Sequence, residues 1–172
     1  MAKLLVLFDG ADEKTAKVAE WIVEGARSVR FGEADLRRLP GESGPSAVAR
    51  IRPLGGIDDL AGYDAIALGA SDEGFDRISA VLHDAEGLGM RGALANKLGA
   101  VFPASDPATV GNRHPLWPLL APMARYGMIL VPPGYAGPAG EPEDLEAASK
   151  RMGKRLIDIA GWITHARSHH HH

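Results

Sequence analysis

The residues best able to do chemistry in this 172-residue chain gather in three turns. The first, Asp9 to Thr15, holds Gly10, Asp12, Glu13 and Lys14. The second runs from Ser71 through Asp72, Glu73 and Gly74 to Phe75. The third, Pro103 to Arg113, is rich in small and polar residues. A turn leading from a strand into a helix presents free N–H groups and the positive end of a helix dipole, which suit a phosphate. Carboxylates from several turns (Asp9, Asp12, Asp72 and Asp106) would instead offer oxygen ligands to a magnesium-like cation. The plainer reading is capping. Asp12 precedes a helical stretch and is a good N-cap, so its carboxylate would occupy the N–H groups a phosphate needs. Ser71, Asp72 and Glu73 read either as a solvated turn capping the next helix or as hydrogen-bonding partners of a ligand.

Other chemistries find little support. The chain has no cysteine, which removes disulfides, iron–sulfur ligation and thiol catalysis. Four of its seven histidines close the sequence at 169–172, and with Arg167 and Ser168 they read as an expression tag. His83, His114 and His165 lack metal-ligand spacing, so no metal site is assigned. His114, beside Asn112 and Arg113, is either a proton donor or a helix-entry surface residue. No Ser-His-Asp order or paired acid/base signature stands out, and the catalytic residues are left unassigned. The net charge is -3, and Arg27, Arg30, Arg37 and Arg38 form only a mild basic edge, which excludes nucleic acid as a partner. With no apolar run of spanning length and no signal-peptide pattern, the expectation is a soluble, cytoplasmic protein off the membrane. Length suggests one domain over 1–166, with the tag at 167–172.

The elements that must position these turns alternate between short apolar runs and helical periods. Lys3 to Phe8 is the first strand, and Lys14 to Ala26 the first helix, with Val18, Ala19, Ile22, Val23 and Ala26 on one face. Val29 to Leu36 reads as a weaker strand whose phase shifts across Gly32. Arg38 to Gly56 is a long Gly/Pro-rich surface loop. Asp64 to Gly69, Leu98 to Phe102 and Met128 to Val131 are the remaining strands. A helix from Phe75 ends near the glycines at 87 and 89. Another, from Leu116 to Met123, is shortened or kinked by Pro122. A last helix carries Leu145, Met152, Leu156 and Ile159. Five strands alternating with helices describe a doubly wound α/β sheet.

Four segments together carry a family resemblance: Lys3 to Gly10 with Val23 to Ala26, Leu60 to Gly69, Gly92 to Phe102, and Tyr126 to Ala136. They resemble the flavodoxin-like fold, and most closely the FMN-dependent NAD(P)H:quinone oxidoreductases of the tryptophan-repressor-binding-protein type, over about residues 2–161. The resemblance implies a three-layer sandwich around a five-stranded parallel sheet of order 2-1-3-4-5, with ligand at the carboxyl ends of the strands. It also implies FMN as cofactor and a small redox substrate or quinone as partner. The implied FMN residues are Gly10, Asp12, Lys14 and Thr15 for the phosphate, and Ser71, Asp72, Gly74 and Phe75 for the ring and ribityl chain. Ser105, Thr109 and Gly111 would serve the other edge of the ring. Arg125, also among the implied FMN residues, stands where the family often has a histidine, and Gly89 where it often has a tryptophan. Flavodoxin-like reductases are often dimers, which implies a homo-oligomer; Trp117 and Trp162 read either as its contact residues or as core.

Within that resemblance the flavin loops depart from the family pattern. Its phosphate loop begins with hydroxyl and glycine residues, where this chain has Gly10, Ala11, Asp12, Glu13 and Lys14. A carboxylate about 4 Å from the phosphate costs roughly 1 kcal/mol in bulk water and about 4 kcal/mol at an effective surface dielectric. A missing charge-assisted hydrogen bond costs about 1.5–3 kcal/mol more. Even the smaller values weaken binding by roughly 50-fold. Two functional readings follow: an FMN-dependent oxidoreductase or electron carrier, and a flavin-free binding or interaction module using the same crevice. A response-regulator-like phosphoryl acceptor would need a lysine after the fifth strand, where Pro132, Pro133 and Gly134 stand.

Overall fold

The structure, a computed structural model, describes residues 1–41, 44–71, 73–104, 116–132 and 144–169. Its centre is β1 (Lys3–Phe8), whose last five residues are buried. A strand covered on both faces reads as a continuous apolar run, as Leu4 to Phe8 does. β2 (Glu33–Arg38), β3 (Ala65–Ala70), β4 (Leu98–Pro103) and β5 (Ile129–Leu130) complete a sheet of order β2-β1-β3-β4-β5. All its pairings are parallel.

The helices are α1 (Glu13–Arg27), α2 (Ser46–Ala49), α3 (Phe75–Asp84), α4 (Glu86–Met90), α5 (Leu120–Arg125) and α6 (Leu145–Ser168). The two-residue period of β1 divides its side chains between two cores. Leu4, Val6 and Phe8 join Ile22 of α1 and Leu156 of α6 on one face. Leu5 and Leu7 join Ile78 and Leu82 of α3 and Met123 of α5 on the other. Along β1, β3 and β4 the register aligns Phe8, Gly69 and Phe102. The Phe102 ring fills the space above Gly69, so closely that a Cβ there would lie 2.1 Å from it.

α1 and α6 pack backbone against backbone. A Cβ on Gly25 would stand 1.9 Å from the Lys150 carbonyl oxygen, and one on Gly153 would stand 1.9 Å from that of Ile22. This close crossing is the physical reason for the glycine between Glu24 and Ala26.

Four expectations need correction. The second strand is Glu33–Arg38, not Val29 to Leu36. Phe31 takes a left-handed φ of 65°, so residues 28–32 form the turn out of α1. The Arg38–Gly56 segment is not bare loop: it contains α2 and a parallel bridge between Arg38 and Pro53. The helix from Phe75 stops at Asp84, and α4 carries on through Gly87 and Gly89. Pro122 lies in the first turn of a six-residue α5 entered through a 3-10 turn at Trp117–Leu119, so it removes no bond that α5 needs. α6 runs on through Arg167 and Ser168. Pro142 lies outside the described residues; the N-cap of α6 is Asp144. Among the described residues no helix is long and apolar enough to cross a membrane.

Candidate functional site

The sheet order changes direction between β1 and β3, and in such sheets a crevice opens beyond the carboxyl ends of the strands at that point. Phe8 and Gly69 are partners in register, so the turns that follow β1 and β3 must meet there. They meet through Asp9, which is fully buried. Its Oδ2 accepts the Ser71 hydroxyl at 2.7 Å, and its Oδ1 accepts the Ser71 N–H at 3.4 Å. Gly74 lies on the same carboxylate: a Cβ there would be 1.8 Å from Oδ2. The glycine is what lets the second turn close over Asp9. Arg77 of α3 then donates to the Asp9 carbonyl at 2.9 Å and to the Pro40 carbonyl at 3.1 Å. One aspartate and one arginine thus tie the turns after β1, β2 and β3 together.

The start of α1 forms the other wall. Asp12 is its N-cap, and Oδ1 accepts the Thr15 N–H at 2.8 Å. The capping reading of Asp12 is the one the structure shows. Gly10 has a φ of 85°, turning the chain from β1 into the cap. Its carbonyl accepts the Gly44 N–H at 3.0 Å. A Cβ at Gly44 would lie 2.2 Å from the Ala11 carbonyl oxygen, so the segment after β2 lies directly on the turn. The N–H groups of Glu13 and Lys14 take no acceptor among the described residues. Both side chains are exposed.

These residues do not fit the phosphate of an FMN. One of the helix-terminal donors is held by a carboxylate, and Glu13 adds a second negative charge beside it. The hydroxyl of Thr15 is buried without a hydrogen-bond partner among the described residues. Arg38 and Arg77 donate through their terminal nitrogens to backbone carbonyls, while Arg38 Nε is buried without a partner among the described residues. Lys14 is exposed and makes no ion pair among the described residues.

The structure brings Gly10, Asp12, Lys14 and Thr15 of the first turn beside Ser71, Gly74 and Phe75 of the second, although Phe75 packs partly into the core. Arg125 is not with them. It ends α5 just before β5, at the amino edge of the sheet, where Nη1 meets Glu86 Oε1 at 3.3 Å. Gly89 is at that edge too, closed over by the Tyr126 ring at 2.2 Å from where a Cβ would be. Asp72, Ser105, Thr109 and Gly111 lie outside the described residues, as do Asp106 and His114. Among the described residues no three histidine, aspartate or glutamate side chains gather closely enough for a metal. Sequence reasoning missed Arg77 and the pairing role of Asp9. The available signal for Asp9 was a lone acid directly after the apolar run Leu4 to Phe8.

A second, partly buried polar pair lies away from the crevice. The Tyr63 hydroxyl donates to Asp35 Oδ2 at 2.7 Å. Burial, with Asp35 as acceptor, pushes the Tyr63 hydroxyl up to about 12. Burial also acts to raise Asp35, but the Tyr63 bond and the charges of Arg37 and Lys3 outweigh it, and the carboxyl is lowered overall.

No family model matches the chain. Among curated proteins, an NAD(P)H dehydrogenase (quinone) of Methylocella silvestris is 32% identical, covering 94% of this chain and 98% of the relative. One of the same name from Nitrobacter winogradskyi is 35% identical over 83% of this chain and 77% of its own length. Among solved structures, an archaeal flavodoxin superposes with a TM-score of 0.60 at 19% identity, over 92% of this chain and 99% of its own. A WrbA-like flavodoxin from Agrobacterium tumefaciens has a TM-score of 0.60 at 16% identity, over 94% and 99%. The flavodoxin-like fold implied by the framework segments is therefore present, with its strand order.

Proposed function

The chain belongs to the NAD(P)H dehydrogenase (quinone) family, and we propose that it is an oxidoreductase of that kind, using NAD(P)H and a quinone with a flavin at the carboxyl edge of its sheet. The observation that carries this reading is the 32% identity to a relative of that name over 94% of this chain and 98% of the relative. A bound flavin supplies the hydride and electron chemistry; the protein positions it and shields it from water. In this reading Gly10, Ser71 and Gly74 bring backbone close to the ligand. The test is steady-state oxidation of NADH and NADPH with a soluble benzoquinone, with and without added flavin. Flavin-dependent turnover supports the reading, and a rate equal to the protein-free control refutes it.

A second reading, a flavin-free binding module in the same crevice, is favoured by one observation: Asp12 holds the helix terminus that a flavin phosphate would use. Its test is binding rather than turnover. A protein that leaves the fluorescence of free FMN and riboflavin unchanged at high micromolar concentration supports it, and quenching of either refutes it.

A further inference from the structure

We propose that a groove at the amino edge of the sheet, away from the crevice, is a two-fold interface closed by a second copy of this chain. The groove holds about 480 Å³. Arg30 and Phe31 in the turn after α1 line one side, Asp158, Gly161 and Trp162 of α6 the other, and Met1 lines it too. Two of these residues carry costs that nothing within one copy offsets. Phe31 holds a left-handed φ of 65°, which strains an L-residue and which glycine or asparagine adopts more easily. Its ring is nevertheless 65% exposed, so core packing does not compensate. Gly161 lies inside the 24-residue α6, where glycine weakens a helix. Gly153 of the same helix is required by its approach to Ile22, whereas a Cβ on Gly161 would meet nothing within 4 Å.

A second copy accounts for both. Across a two-fold axis, residues of one patch face other residues of the same patch, and every contact is made twice. The Phe31 ring of one copy then fills the open notch at Gly161 of the other, against Trp162, which is 69% exposed. The charges are self-complementary in the same way. Arg30 lies 4.8 Å from the Phe31 ring centroid, and Asp158 lies one turn before Trp162 on α6. Neither makes an ion pair among the described residues. The rotation that seats Phe31 at Gly161 brings Arg30 of each copy toward Asp158 of the other. Phe31, Trp162 and Met1 expose on the order of 400 Å² between them, about half of what each partner of a stable dimer buries.

The experiment is sedimentation equilibrium of the full chain from low to high micromolar concentration, with a chelator present so that no metal bridges the terminal histidines. A particle of twice the 18.2 kDa chain mass is expected. Phe31→Gly removes the ring and relieves the left-handed backbone, so it should keep the fold and weaken the dimer about 30-fold or more. Gly161→Leu favours the helix but fills the notch, and should weaken the dimer comparably. Arg30→Asp or Asp158→Arg alone should weaken it about tenfold, and the two together should restore it. Circular dichroism checks that each variant is folded. A chain that stays monomeric at high micromolar concentration overturns the proposal. A dimer that survives Phe31→Gly and Gly161→Leu in folded chains uses another face and overturns it too, as does an exchange of charges that restores nothing.

Discussion

Replacing Ser71 with alanine tests the join between the two crevice turns. In the native chain Asp9 is fully buried, with its carboxylate on the Ser71 hydroxyl at 2.7 Å and, more loosely, on the Ser71 N–H at 3.4 Å. A hydrogen bond to a charged group contributes about 1.5–3 kcal/mol, and a buried acceptor left short of a donor costs a comparable amount in desolvation. Ser71→Ala should therefore destabilise the fold by about 2–3 kcal/mol. Asp9→Ala strands the Ser71 hydroxyl and should cost about 1–3 kcal/mol. Because the two losses are one interaction, the double variant should be less destabilised than the sum, by about 1–2 kcal/mol of coupling. Urea unfolding of the four proteins, followed by circular dichroism at constant slope, measures every term. A Ser71→Ala cost below about 0.5 kcal/mol, or coupling of zero, would refute the claim that this pair closes the crevice.

Further perturbations follow from the same geometry. Gly153→Ala drives a methyl toward the Ile22 carbonyl, 1.9 Å from its Cβ. It should cost about 3 kcal/mol or more in urea unfolding, against about 0.5–1 kcal/mol gained if the helix could simply shift. Tyr126→Phe removes the hydroxyl that donates to the Leu82 carbonyl at 2.7 Å and should lower stability by about 1 kcal/mol in the same assay. Tyr63 holds its proton more tightly when folded, so its contribution is full below pH 10.0 and is lost as pH rises toward about 12. The difference in urea midpoint between the native chain and Tyr63→Phe should shrink across that window. Asp35 runs the other way. Its carboxyl is lowered from 3.8, so its share is present above that pH and is lost as pH falls through the folded value. Tyr63→Phe should lose part of this acid-side term as well.

The frame was legible because its signals are local. Leu4 to Phe8, Ala65 to Ala70 and Leu98 to Phe102 are apolar runs between turn residues, and the one-sided helix from Val18 to Ala26 could only lie on a sheet. Capping by Asp12 was legible for the same reason, since donor and acceptor are three residues apart. The second strand was misplaced because Val29 and Phe31 look like strand residues, while Phe31 is a left-handed turn residue beyond α1. Asp9, Ser71, Gly74 and Arg77 come from sequence positions up to 68 residues apart, and their convergence depends on the order of β1 and β3. Arg125 illustrates the reverse error. A position matched by family pattern lies at the amino edge of the sheet, paired with Glu86, because it ends the helix that leads directly into the start of β5.

Anaerobic mixing of the flavin-loaded protein with NADPH or NADH, followed by a benzoquinone, tests the central claim most directly. An oxidoreductase of this family should lose the visible absorbance of its bound flavin on reduction and regain it when the quinone is added. Flavin that stays oxidised with both nicotinamides, or stays reduced in the presence of the quinone, would contradict the account.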